Sequence, residues 1–162
     1  MIGAAAMAVH GVSRATRDID LFTLSQECLE TSFWTSLRTT ASIEAYVRKG
    51  DAADPLAGVV RLTAAGENPL DVVVGKSSWQ RAVTERAQDA VIEDVAVRVA
   101  GALDLILLKL YAAGPQDAWD VEQLLTGSDE PALVAQIDVA VSALPPDGRA
   151  LWARIRAGHR PA

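Results

Sequence analysis

Asp18 and Asp20 stand two residues apart in HGVSRATRDIDLF, inside an otherwise apolar run and just after Arg14 and Arg17. Aspartate is a poor strand former, and a buried carboxylate without a partner is costly. On a strand, side chains alternate between faces, so both carboxylates emerge on one side, a little under ~7 Å apart along the chain. Ile19 and Leu21 take the other side. Carboxylates this close disfavour each other's ionisation unless a cation lies between them. A hard divalent ion such as Mg²⁺, which takes oxygen ligands and keeps several waters, meets that need. So does an ion pair with Arg14 or Arg17, and Asp-x-Asp alone does not separate the two. A third carboxylate is the sharper expectation, and PLDVVVG supplies Asp71 at the start of a β-branched run with no other acid in it. Two strands presenting three carboxylates can mount two divalent ions, the arrangement used for in-line phosphoryl or nucleotidyl transfer.

The elements that must carry these residues follow from the pattern. The small residues Ala4 to Val9 suit a short helix starting after Gly3, and DIDLFTL has the two-residue period of a strand with one dry face. ETSFWTSLRTTASIEAYVRKG reads as one or two helical pieces ending at Gly50. GVVRLTAAGENPLDVVVG is a hairpin, two β-branched runs flanking turn residues. Ser77 or Ser78 caps a helix through SWQRAVTERAQ, and AVIEDVAVRVAG is one or two short strands. The apolar helix ALDLILLKLYAAG stops at Gly114, Pro115 opens PQDAWDVEQLLTG, and two more helices follow through EPALVAQIDVAVSAL and PPDGRALWARIRAG. Strands dominate early and helices late, so the expected class is α+β: a small mixed or antiparallel sheet carrying the acids, packed by helices. Residues 1–100 form the α/β core and 101–162 a helical part packed on it, with GDAADPLAG as the internal seam.

Composition sets outer limits. A chain of 162 residues, 50% apolar and 22% charged, can build a substantial core. A net charge of −6 argues against a surface coated for nucleic acid, though not against a local basic site. Cys28 is the single cysteine, which excludes an internal disulfide and a thiolate cluster and fits a reducing cytoplasm. The longest apolar helix is too short to span a bilayer and carries Asp104 and Lys109. MIGAAAMAV lacks the basic opening of a signal peptide and runs straight into charged sequence.

GAAAMAVHGVSRATRDIDL resembles the opening of the nucleotidyltransferase-fold superfamily, which includes polymerase β-like and kanamycin-type enzymes. The words HG, RAT-DIDL, DPLAGVVR, LDVVVG and LKLYA---QD--DV look most like the bacterial abortive-infection and toxin-type members, over residues 3 to about 125. The resemblance implies Asp18, Asp20 and Asp71 as ligands of Mg²⁺ or Mn²⁺. It implies the Gly3-Ala4 turn and the helix after it as the seat of the triphosphate, where backbone N–H groups and the helix dipole favour negative charge. Ala4 lacks the hydroxyl that serine gives relatives, and only Met1 and Ile2 precede the turn, so the leading strand is nearly absent or the sequence begins late.

On the apolar helix Lys109 either snorkels outward or, as the resemblance implies, binds phosphate or the leaving group. Asp117 and Asp120 share a helix face. Asp117 is then either a dipole-stabilising residue of the first turn or, by resemblance, a base for the acceptor hydroxyl. Arg14, Arg17 and Lys109 are left to neutralise the nucleotide's charge. His10 reads as a structural histidine that orients the RATRD loop, and Trp34, Trp79, Trp119 and Trp152 as packing. The basic tail RALWARIRAGHRPA reads as a solvated helix end.

The function so implied is transfer of a nucleoside monophosphate from an NTP to a hydroxyl of an RNA end, such as tRNA, or of a protein. A toxin role, with a cognate antitoxin as partner, belongs to the same resemblance. Ala4 and the short start point instead to a degenerate domain that binds nucleotide or a partner protein without turnover; the three carboxylates point to the enzyme.

Overall fold

A computed structural model of the chain describes residues 1–92, 94–126 and 130–158. The first helix, α1, is Gly3–Val9, and the first strand, β1, is Ile19–Thr23. Two 3₁₀ turns, Gln26–Leu29 and Thr31–Trp34, lead into α2 (Thr35–Ala41). Strands β2 (Glu44–Lys49), β3 (Gly58–Thr63) and β4 (Leu70–Val74) come next, then the short helix α3 (Arg81–Glu85). The hairpin β5 (Gln88–Ile92) and β6 (Val95–Val99) precedes four helices: α4 (Ala102–Ala112), α5 (Asp117–Thr126), α6 (Glu130–Ala140) and α7 (Pro146–Gly158). The class is α+β. One mixed sheet has the order β1-β4-β3-β2, with β1 parallel to β4 and the other pairs antiparallel, and β5–β6 stands apart.

The sheet separates two apolar clusters. Val60, Val72 and Val74 point one way, onto Cys28, Leu29 and Trp34. The larger cluster joins Ala6 and Met7 of α1 to Val83, Leu105, Ile106, Leu110 and the helices beyond. Burying such a side chain stabilises the fold by about 1.5–3 kcal/mol over leaving it exposed. α4 is apolar on most of its circumference because it lies in the middle of that cluster. α7 crosses it closely: a Cβ at Gly148 would come within 2.6 Å of the Leu110 carbonyl oxygen.

Several expectations are corrected. SIEAYVRK is not helical but forms β2, since Ser42 at φ 53° ends α2 and the chain then pairs with β3. Ala45 and Val47 reach the Trp34 cluster while Glu44, Tyr46 and Arg48 are exposed, the two-sided burial of a strand. Cross-strand packing overrides the helical propensity of these residues. GDAADPLAG is not a seam either. It joins two hydrogen-bonded strands of one sheet, and it is tied down where Lys76 Nζ donates to the Asp51 carbonyl (2.9 Å) and Tyr111 Oη donates to the Pro55 carbonyl (2.6 Å). Trp119 is 46% exposed, because α5 buries Asp120, Val121, Leu124 and Leu125 instead; Trp34 and Trp152 are buried and Trp79 packs against the core.

The β3–β4 hairpin and the capping role of Ser77, which forms a capping box with Gln80, match the sequence reading. α4 ends one residue before expected: Ala113, at φ 48°, takes the left-handed position ahead of Gly114. The last residues of the basic tail lie outside the described residues. Among the described residues no helix is long and apolar enough to cross a membrane.

Candidate active site

The strand register builds the site. Asp20 on β1 is the parallel partner of Asp71 on β4. Asp71 is the antiparallel partner of Arg61 on β3, and Arg61 of Tyr46 on β2. Directly paired residues share a sheet face, so Asp20, Asp71, Arg61 and Tyr46 form one row across four strands. Asp18 sits just ahead of β1 and closes on this row from its end. The sequence-predicted trio is thus brought to one region of one face.

Arg61, which the sequence reading passed over, organises it. Its Nε donates to Asp71 Oδ1 at 2.8 Å and its Nη2 to Asp71 Oδ2 at 2.7 Å, while Nη2 also reaches Asp18 Oδ2 at 3.1 Å. The hydrogen bonds and charge of Asp71, with those of Asp18, hold the guanidinium far above its ordinary pKa. Asp20 has no such partner. Its carboxyl titrates above the usual aspartate range, first because it is buried and then because of Asp71; Lys109 pulls the other way, Asp18 adds to the rise and Arg14 opposes it.

Asp20 also fixes the first turn. The Ile2 N–H donates to the Asp20 carbonyl at 2.8 Å, so the strand expected ahead of α1 is a single bridge. Gly3 follows at φ +70°, and a Cβ there would stand 1.9 Å from Asp20 Oδ2. Only glycine fits between the Asp20 carboxylate and the start of α1. Ala4 is buried, and α1 begins without a side-chain cap.

Lys109 does not snorkel. It turns inward, 17% exposed, with Nζ 3.1 Å from Asp117 Oδ1 and 2.6 Å from Asp120 Oδ2. Arg14 approaches the same Asp120 from the other side, Nε to Oδ1 at 3.2 Å. Asp120 is wholly buried and has no aligned hydrogen bond, so charge alone holds it. Asp117 Oδ2 accepts the Gly114 N–H at 2.6 Å, and the same residue opens α5, as the first-turn reading expected. A cavity of about 230 Å³ brings Asp20, Lys109 and Asp117 together with Gly3 and an apolar wall that includes Val73 and Leu108. Arg14 is spent on Asp120, and Arg17 is exposed. His10 Nε2 lies 2.8 Å from the Ala100 carbonyl, a structural contact made with the residue that follows β6 and not with the RATRD loop.

The carboxylates suit a hard divalent cation in donor chemistry and in the strand register of Asp20 and Asp71. Their side chains stand apart, since Arg61 draws in Asp71 and Asp18 while Asp20 leans to Gly3. Among the described residues no three metal-binding side chains converge tightly enough to hold an ion as they stand.

No family model matches the chain, and no curated protein matches it significantly. Two solved structures are similar across 98% of it. The antibiotic-resistance factor ANT(2'')-Ia has 14% identity and a TM-score of 0.49, with 81% of its own length covered. An antigenic nucleotidyltransferase-like protein from Paracoccidioides brasiliensis has 12% identity and a TM-score of 0.48, with 78% of its length covered. Both likenesses concern the course of the backbone.

Arg61 was within reach of the sequence. A hairpin centred on Gly66 pairs positions equidistant from it, and Arg61 and Asp71 are such a pair. Nothing in the sequence signals that Arg14 turns to Asp120 rather than to the Asp-x-Asp carboxylates.

Proposed function

We propose that the chain is a nucleotidyltransferase that moves a nucleoside monophosphate from an NTP to a hydroxyl acceptor, an RNA end such as tRNA or a protein. The single observation that supports this most is the register of Asp20 beside Asp71, with Asp18 adjoining, and Asp20 lining a cavity shared with Lys109 and Asp117. Asp18, Asp20 and Asp71 would hold the divalent ion, Mg²⁺ or Mn²⁺, which supplies charge neutralisation at the α-phosphate. The hydroxyl oxygen bonds to the α-phosphorus while the P–O bond to the β-phosphate breaks, and pyrophosphate leaves. The hydroxyl proton passes to Asp117, which lines the cavity. Lys109, beside it, offsets the negative charge that gathers as pyrophosphate departs. The N–H groups at Gly3 and Ala4, and the exposed Arg17, are the remaining candidates for the triphosphate. A toxin role with an antitoxin partner, in the cytoplasm, goes with this reading through the resemblance of the motifs.

The Arg61 fork on Asp71 favours a second reading, a degenerate domain that binds nucleotide or a partner protein without turnover. One experiment separates the two. Purified chain is given Mg²⁺, each α-labelled NTP in turn, and total bacterial RNA or lysate, beside Asp20→Ala. Label entering RNA or protein only with Asp20 intact supports transfer. Mg²⁺-dependent nucleotide binding without transfer supports the second reading, and the absence of both transfer and binding overturns both readings.

A further inference from the structure

The carboxylate row already holds a cation of the chain's own. One guanidinium touches three oxygens from two carboxylates, both of Asp71 and one of Asp18. The planar fork matches a carboxylate edge, so it takes the lone pairs that a metal ion would use. Arginine keeps its proton at any ordinary pH, so this cation can leave only by moving. It has the means to move. Its side chain is 47% exposed against 16% for Asp71, so the arginine end of the pair borders solvent. On its far side, away from Asp20, an open cavity of about 290 Å³ is lined by Arg61 and Asp71 themselves together with Tyr46, Arg48 and Val59. Among the described residues no element covers Tyr46 on that half of the sheet face, where it is 62% exposed.

We propose that Arg61 is a placeholder cation that a divalent metal ion must displace from Asp71 and Asp18, with the Tyr46–Arg48 side of the sheet as the space it moves into. The placeholder explains how the carboxylates coexist when no metal is bound: Arg61 bridges two of them, offsetting one of their two charges, and does not reach Asp20. It also makes metal affinity a competition, weaker than the three carboxylates would give by themselves. The inference rests on reading Asp18, Asp20 and Asp71 as the metal set.

The test is Mn²⁺ binding to the full chain without nucleotide, read from the electron paramagnetic resonance signal of free Mn²⁺. Arg61→Gln and Arg61→Lys are compared with the wild type, with Asp71→Asn as the blank and far-UV circular dichroism as the check on folding. Arg61→Gln is expected to bind Mn²⁺ roughly tenfold tighter or more, and to gain more melting temperature from Mn²⁺ than the wild type does. Arg61→Lys, a point charge without the fork, falls between them and carries the test if the glutamine variant fails to fold. Equal or weaker binding in the Arg61 variants, with binding lost in Asp71→Asn, overturns the placeholder and leaves the metal set standing. Folded protein that binds no Mn²⁺ in any form overturns both.

Discussion

Replacing Lys109 with methionine tests what the inward lysine does. Methionine keeps the unbranched apolar stem, so packing on α4 is preserved while the ammonium is lost. The structure then leaves Asp120, wholly buried, with Arg14 alone at 3.2 Å, and leaves Asp117 with only the Gly114 N–H. Removing one partner of a buried ion pair costs about 3–5 kcal/mol, most of it the desolvation of the charge left behind. Arg14 still offsets part of Asp120's charge, which places Lys109→Met near the lower end, about 3 kcal/mol. For a chain of this size each 1 kcal/mol moves the melting temperature by roughly 2–4 °C, so the drop is about 6–12 °C. Urea unfolding followed by tryptophan fluorescence measures it directly. The decisive comparison is the cycle with Asp120→Asn. If the two side chains act on each other, the double variant loses less than the sum of the singles, by about 1–3 kcal/mol. A Lys109→Met protein within 1 kcal/mol of wild type, or strict additivity with Asp120→Asn, would refute the reasoning. Lys109 would then be a lysine held for a ligand and not for its aspartates.

Two further outcomes follow from the same geometry. Asp20 binds its proton more tightly in the fold than in the unfolded chain, so the unfolded state ionises first as pH rises. Stability therefore falls between the ordinary aspartate value and Asp20's raised one. Asn cannot ionise, so Asp20→Asn is expected to melt higher than wild type at pH 7.5 and to lose that advantage below pH 3.8, the ordinary value; urea midpoints at the two extremes check it, and a gain independent of pH counts against it. Gly3→Ala puts a methyl group 1.9 Å from Asp20 Oδ2 at a backbone angle of +70°. It is expected to cost roughly 1–3 kcal/mol by strain and overpacking and to abolish nucleotide transfer, measured by thermal melting beside the labelled-NTP assay.

The acids at this site were legible because their chemistry is written in short-range pattern. Asp-x-Asp on a two-residue period, and one acid at the head of a β-branched run, put Asp20 and Asp71 on strands before any tertiary contact was known, while Asp18, expected on the same strand as Asp20, stands just ahead of β1. β2 was not legible, because Glu, Ala, Arg and Lys suit a helix and only the ladder to β3, with Ala45 and Val47 against the Trp34 cluster, decides otherwise. The cations follow the same division. Their number near the site could be counted from the sequence, but an arginine reaches far and pairs with whichever carboxylate the fold leaves short of charge. Asp120, buried between α4 and α5, has no water to solvate it, so it claims Arg14 and shares Lys109. Asp71 claims Arg61 through strand register. That leaves Asp20, the residue nearest the cavity's glycine turn, as the one carboxylate of the row without a basic side chain in contact; burial first, then the charges of Asp71 and Asp18, raise its pKa against the pull of Lys109 and Arg14. Three acids to which the chain brings one arginine are poised to take up positive charge from outside, and Asp20 is the acid that arginine does not reach.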